Sequence, residues 1–184
     1  MDTLSGAHEL AALGQALRYP REGFRESLQE LRSRLHNRSC AAAGAIRAFL
    51  DATADRGESA LAETYTRTFD LAPQCAPYLG THLFGQQDAR RNQLMVGLAE
   101  EYASCGFQPE GELPDHVAVV MQALQHLPEQ ARRELASLCL EPALASMSKQ
   151  LESTGNPFGH LIRAASLLLC AEPSASTAME ASHA

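Results

Sequence analysis

Leu113-Pro114-Asp115-His116-Val117-Ala118-Val119-Val120-Met121-Gln122-Ala123-Leu124-Gln125-His126-Leu127 is the stretch whose reading decides the fold. Pro114 fixes its own φ and needs no N–H donor, so it suits the first turn of a helix, and Asp115 puts negative charge at the positive end of the helix dipole. Leu113, Val117, Val120, Met121, Leu124 and Leu127 recur mostly at steps of three or four, the spacing of one buried helical face. On the same wheel Asp115, Val119, Gln122 and His126 form a second line roughly opposite. The expectation is an amphipathic helix with a mostly polar strip turned toward something else.

The pattern repeats outward along the chain. Leu4, Leu10, Leu13 and Leu17 share one side of a first helix, which Tyr19-Pro20 ends because the residue before proline avoids the α region. A second runs from Arg21 to about His36 with Phe24, Leu28, Leu31 and Leu35 inside. Ser39 caps a third, Cys40 to about Asp55, with Gly57 just past its end. A fourth starts near Glu58 and carries Leu61, Tyr65, Thr68 and Phe69. From Asp70 to Gly85 the punctuation of Pro73, Pro77 and Gly80 predicts a loop, packed on the body by Leu71, Tyr78, Leu79, Leu83 and Phe84. Asp88 caps a helix from Ala89 to Cys105, with Leu94, Met95, Leu98 and Tyr102 buried and Gly106 as its stop. Beyond Pro128, a helix through Leu135, Leu144 and Leu151 is broken or kinked at Glu141-Pro142. Gly155, Asn156 and Pro157 then close one helix, cap the next and start it. No segment alternates as a strand does. The class is all-α: a single-domain bundle of about seven to nine helices over residues 1–172, with a Ser/Ala-rich tail at 173–184 expected to be disordered.

Composition narrows the function. The 184 residues are 45% hydrophobic, enough for one buried core. Fifteen Lys and Arg against 22 Asp and Glu give a net charge of −7, which argues against a nucleic-acid binder or an anionic-membrane binder. No apolar run approaches the roughly 20 residues of a membrane span, and the N-terminus lacks the basic and apolar regions of a signal sequence. Cytoplasmic localisation is expected. The five cysteines are too far apart for a zinc motif or a disulfide framework, and Cys40, Cys139 and Cys170 sit in Ala/Leu-rich settings that suit buried, reduced thiols.

No catalytic constellation emerges. His116 and His126 are about eighty degrees apart on a helix and nearly three turns along, too far to share a metal, and Asp115 and His116 point about a hundred degrees apart. His82 and His160 read as hydrogen-bonded histidines before they read as ligands. There is no phosphate loop, G-x-S-x-G or H-E-x-x-H. No cofactor and no metal are expected. Acidic charge is the stronger signal: from Leu50 to His116 there are eleven acids against Arg56, Arg67, Arg90 and Arg91, flanking the apolar Asp70–Gly85 segment. Acid beside apolar surface suits a basic and apolar peptide. The seven arginines between Arg18 and Arg47, with Glu22, Glu26 and Glu30 against them, read as solvated helix face.

Tyr65-Thr66-Arg67-Thr68-Phe69-Asp70, Cys75-Ala76-Pro77-Tyr78, His82-Leu83-Phe84-Gly85 and above all Glu112-Leu113-Pro114-Asp115-His116, in this order, resemble the TorD/DmsD/NarJ family of molybdoenzyme maturation chaperones. Gly97-Leu98-Ala99-Glu100-Glu101-Tyr102 leans the likeness toward the NarJ-like side, which includes nitrate reductase assembly. The resemblance implies a non-catalytic protein that binds the N-terminal, often twin-arginine, segment of the apo catalytic subunit of a molybdenum oxidoreductase. It would hold that subunit for molybdenum cofactor insertion before export or membrane docking, as a monomer or a dimer. It also implies peptide-binding roles for Asp115, His116, Tyr65, Phe69, Asp70 and Tyr78, to which apolar Phe84 and strip residue Gln122 are added. Family members often carry glutamate where this chain has Gln122. Two other readings stand beside it: a small metal-dependent enzyme using His82, His116 and His160, and a structural subunit of a respiratory complex.

Overall fold

A computed structural model describes residues 3–85 and 87–171, and the expected tail at 173–184 lies outside them. The described chain is helical: α1 (Thr3–Ala16), α2 (Phe24–Leu35), α3 (Cys40–Ala52), α4 (Glu58–Tyr65), α5 (Leu79–Phe84), α6 (Ala89–Ser104), α7 (Val117–Ala123), α8 (Glu129–Leu135), α9 (Glu141–Ser153) and α10 (Phe158–Cys170). Two π-helical turns, Thr66–Asp70 and Ala136–Leu140, continue α4 and join α8 to α9. The expected kink before Pro142 therefore takes the form of the second π turn. Caps fall where the polar residues predict: Ser39 Oγ accepts from Ala42 N–H and the Asp88 carboxylate from Arg90 N–H. Gly155 turns left-handed at φ 62° before Asn156 accepts from Phe158 N–H.

At the centre sits α7. Val117, Ala118, Val119, Val120, Met121 and Ala123 are all buried, so this helix buries apolar side chains nearly all round rather than on one face, with Gln122 its one polar residue. A helix this short does not hold in water by itself; packing, chiefly against α1, holds it. That crossing is close because Gly14 of α1 has no Cβ. One added there would lie 2.9 Å from Met121 Cβ and 3.0 Å from the Ala118 carbonyl. Around this pair α10 packs on α3 and α9, and α2 on α3. Phe49, Tyr65, Phe69 and Phe158 interlock within the core, with ring centroids 5.2–5.7 Å apart along their contacts.

Four expectations need correction. The central helix starts at Val117, not at Pro114, because His116 caps it; Leu113 is 44% exposed instead of buried. The polar strip does not exist as one surface, since Val119 and Asp115 are fully buried. The Asp70–Gly85 loop contains α5, which starts two residues beyond Pro77 and takes Gly80 inside it. Cys40 and Cys170 are exposed, because they occupy the first position of α3 and the last of α10, where burial ends. All five thiols are unpaired, and Cys75 is the buried one.

Candidate functional site

Two separate motifs meet as a single backbone bridge. Val117 N–H donates to the Pro77 carbonyl at 2.7 Å and Leu79 N–H to the Asp115 carbonyl at 2.8 Å, an antiparallel pairing of Tyr78 with His116. Proline at 77 and 114 removes competing donors, and Tyr102 Oη fixes the second strand by donating to the Pro114 carbonyl at 3.0 Å. This brings Tyr78, Asp115 and His116 together.

The Asp115 carboxylate is completely buried. It accepts from Arg91 Nε at 3.0 Å and from Gly80 N–H at 3.3 Å, and Arg91 lays its guanidinium over the Tyr78 ring at 5.1 Å. A Cβ at position 80 would fall 2.5 Å from Arg91 Cγ and 2.9 Å from Asp115 Oδ2, so only glycine lets the pair close. Asp115 is thus paired with Arg91, and its carboxylate is not itself exposed. His116 is equally committed on one side: Nδ1 accepts from Ala118 N–H at 3.2 Å, which assigns its proton to Nε2, and that N–H has no acceptor among the described residues. Burial, and next the Arg18 charge, holds the ring neutral, with its pKa down to about 4. Tyr78 stands edge-on to it at 5.6 Å.

Tyr65 and Phe69 belong to the core rather than to a surface. The Tyr65 hydroxyl donates to the Leu17 carbonyl at 3.2 Å, and burial, reinforced by Glu112 and Asp70, raises its pKa. Tyr78 is half-buried; its pKa too is raised by burial and then by Glu112, Asp115 and Asp70. Asp70 and Glu112, both exposed, lie near enough for their charges to act on Tyr78 and give the ledge that it makes an acidic side. Phe84 lies farther along, half-buried under the Arg90 guanidinium at 5.0 Å. Gln122 turns toward α1, accepting from Arg18 Nη2 at 3.3 Å and donating to Gln15 at 3.0 Å. His126 stacks on Phe107 away from all of these.

Sequence reasoning missed Arg91, Gly80, Arg18, Tyr19 and Leu71. Tyr19 is 52% exposed and packs edge-on against Tyr65; Leu71, 73% exposed, follows the π turn and precedes Ala72 at φ 49°, a conformation unusual for a residue with a Cβ. The available signal for Arg91 was the scarcity of cations: it and its neighbour Arg90 are two of only four basic residues in that acidic stretch, and Arg90 is taken by the capping Asp88, which leaves Arg91 for another carboxylate. His82 is structural, bonded to the Ala76 carbonyl at 2.7 Å and to Ser146 at 3.1 Å. Among the described residues no three His, Cys, Asp or Glu side chains are placed to hold a metal, and no helix is long and apolar enough to cross a membrane.

The family model described as nitrate reductase delta subunit matches residues 20–160. No curated protein matches the sequence. A crystal structure described as a proposed redox enzyme maturation protein from Archaeoglobus fulgidus superposes with a TM-score of 0.61 at 19% identity, over 90% of this chain and 93% of that one. At that identity the likeness is one of fold.

Proposed function

The chain belongs to the nitrate reductase delta subunit family, and from that premise we propose that it is a non-catalytic maturation chaperone acting in the cytoplasm. Its client is the apo catalytic subunit of a molybdenum oxidoreductase, held by an N-terminal segment until the molybdenum cofactor is inserted and before export or membrane docking. The observation that supports a peptide site is the ledge: half-exposed Tyr78, seated on His116 and Arg91 and rimmed by Asp70 and Glu112. An apolar side chain of the client packs on the Tyr78 ring with Leu71 and Tyr19 as further apolar contacts, and basic residues of the leader meet Asp70 and Glu112. His116 Nε2–H, without an acceptor among the described residues, is a directional donor for a client carbonyl. Asp115, Tyr65, Phe69 and Phe84 position this surface from behind, and Gln122 ties α7 to Arg18.

Titration of the purified protein with the N-terminal peptide of a molybdoenzyme subunit encoded beside it is the test. Saturable binding is expected, and a Tyr78→Ala, Glu112→Gln variant should weaken it by about tenfold, the loss of one aromatic contact and one rim charge. Absence of binding overturns the client assignment. Undiminished binding by the variant overturns the site.

A further inference from the structure

We propose that a second surface, the groove between α6 and α8, is the docking site for a basic amphipathic helix presented by a partner protein. Its floor is Leu94 and Leu98 of α6, Leu127, and Leu135 and Leu138 of α8 and the π turn behind it, enclosing about 570 Å³. The two walls do not close on each other: α6 packs chiefly on α5, and α8 on the π turn that follows it. Leu138 lies in that π turn and is 69% exposed, a large apolar side chain left uncovered beside the groove.

Shape and charge together specify the occupant. Each wall offers the groove one helical face, Leu94, Gly97, Leu98 and Glu101 on one side and Ala131, Glu134, Leu135 and Leu138 on the other, all at i, i+3, i+4, i+7. Gly97 leaves a slot in the first wall, since a side chain added there meets nothing within 4 Å. Two facing stripes with a slot between them accept a third helix in the way amphipathic helices enter apolar grooves. The charged residues lining the groove are Glu100, Glu101 and Glu134, all exposed, with no basic side chain among the lining residues. An acidic rim over an apolar floor repels an acidic helix and complements one with lysine or arginine beside its leucines. This inference does not depend on the peptide site at Tyr78.

The full-length protein is titrated with a fluorescein-labelled Leu/Lys peptide whose leucines fall at i, i+3, i+4 and i+7. Two controls accompany it: an isomer of identical composition with leucines scattered around the helix, and a Leu/Glu peptide of the same pattern. The patterned Leu/Lys peptide is expected to bind at least about tenfold more tightly than either control, and Leu138→Ser and Gly97→Gln should each weaken it by about tenfold. Both positions are exposed, so unchanged thermal melting confirms that the variants fold. Equal binding of the scattered isomer, indifference to both substitutions, or no binding overturns the proposal. So does displacement of the Leu/Lys peptide by the client N-terminal peptide, which would make groove and ledge one site. Dissociation of a self-associated protein by Leu138→Ser would also overturn it, because the occupant would then be a second copy of the chain.

Discussion

Glu112 and Asp115 are three residues apart in one turn, and the environment gives them opposite work. Glu112 stays in water, so its charge is felt by Tyr65 and Tyr78 and by whatever approaches them. Asp115 is sealed between α5, α6 and the start of α7, where its charge is answered by Arg91. A buried ion pair costs much of its attraction in lost hydration, so its worth lies in what happens when one partner is removed. The node therefore holds the bridge in shape, and the rim is free to bind. This difference can be broken from either side.

The largest effect is expected from Asp115→Ala. It leaves the mostly buried Arg91 guanidinium unpaired and should cost about 3–5 kcal/mol, read from the urea midpoint. A loss no larger than that of an exposed pair would mean that the node is not the anchor of the bridge.

Acid comes next. His116 takes a proton near its ordinary 6.5 in the unfolded chain but only near 4 in the fold. Between those values the unfolded state binds more protons, so stability is level above about pH 6.5 and falls as pH drops toward 4, by about 3 kcal/mol at the low end. Burial lowers the His82 pKa in the same direction. Denaturation across that range in wild type and in His116→Gln should show a shallower slope in the variant, and an identical slope would detach His116 from the acid sensitivity.

Gly80→Ala is a smaller insult to the same node. Its new Cβ enters the space of Arg91 and Asp115, and Arg91 must shift, at about 1–3 kcal/mol in thermal melting. A cycle of Gly80→Ala with Arg91→Ala would sharpen the point: a pair that costs less than the sum of its single variants would show the clash to be with that side chain.

The smallest stability change is expected at the rim. Glu112→Gln should alter unfolding by less than about 0.5 kcal/mol while raising the dissociation constant for a basic client peptide about threefold, the range of one exposed charge. If it instead destabilised the fold as Asp115→Ala does, the contrast between node and rim would collapse.

The bundle was legible in the sequence because helix-forming signals are local. Leucines at steps of three and four, Ser39 and Asp88 at their caps and Gly155 at its turn act within a few residues of themselves, and the structure uses them as read. The block of motifs from Tyr65 to His116 was legible as well, since it carried the family resemblance that the match over residues 20–160 supports. The role of each residue inside that block was less so. A helical wheel assigns Asp115 and Val119 to a polar strip because it takes one face as buried and the opposite one as wet. A helix enclosed by α1 and its neighbours, with only Gln122 partly exposed, has no wet face opposite a buried one, and nothing within Val117–Ala123 reports that enclosure.

By itself the sequence determined the all-helical class, most element boundaries, and the acidity beside an apolar stretch. Those follow from spacing, capping and composition, which depend on near neighbours. Only the tertiary structure decided that Arg91 crosses to Asp115, that Gly80 makes room for the pair, and that Leu138 stands out over an acid-rimmed groove. The physical reason is range: whether a charge is buried with a partner or left in water depends on groups tens of residues away along the chain, brought near only by packing.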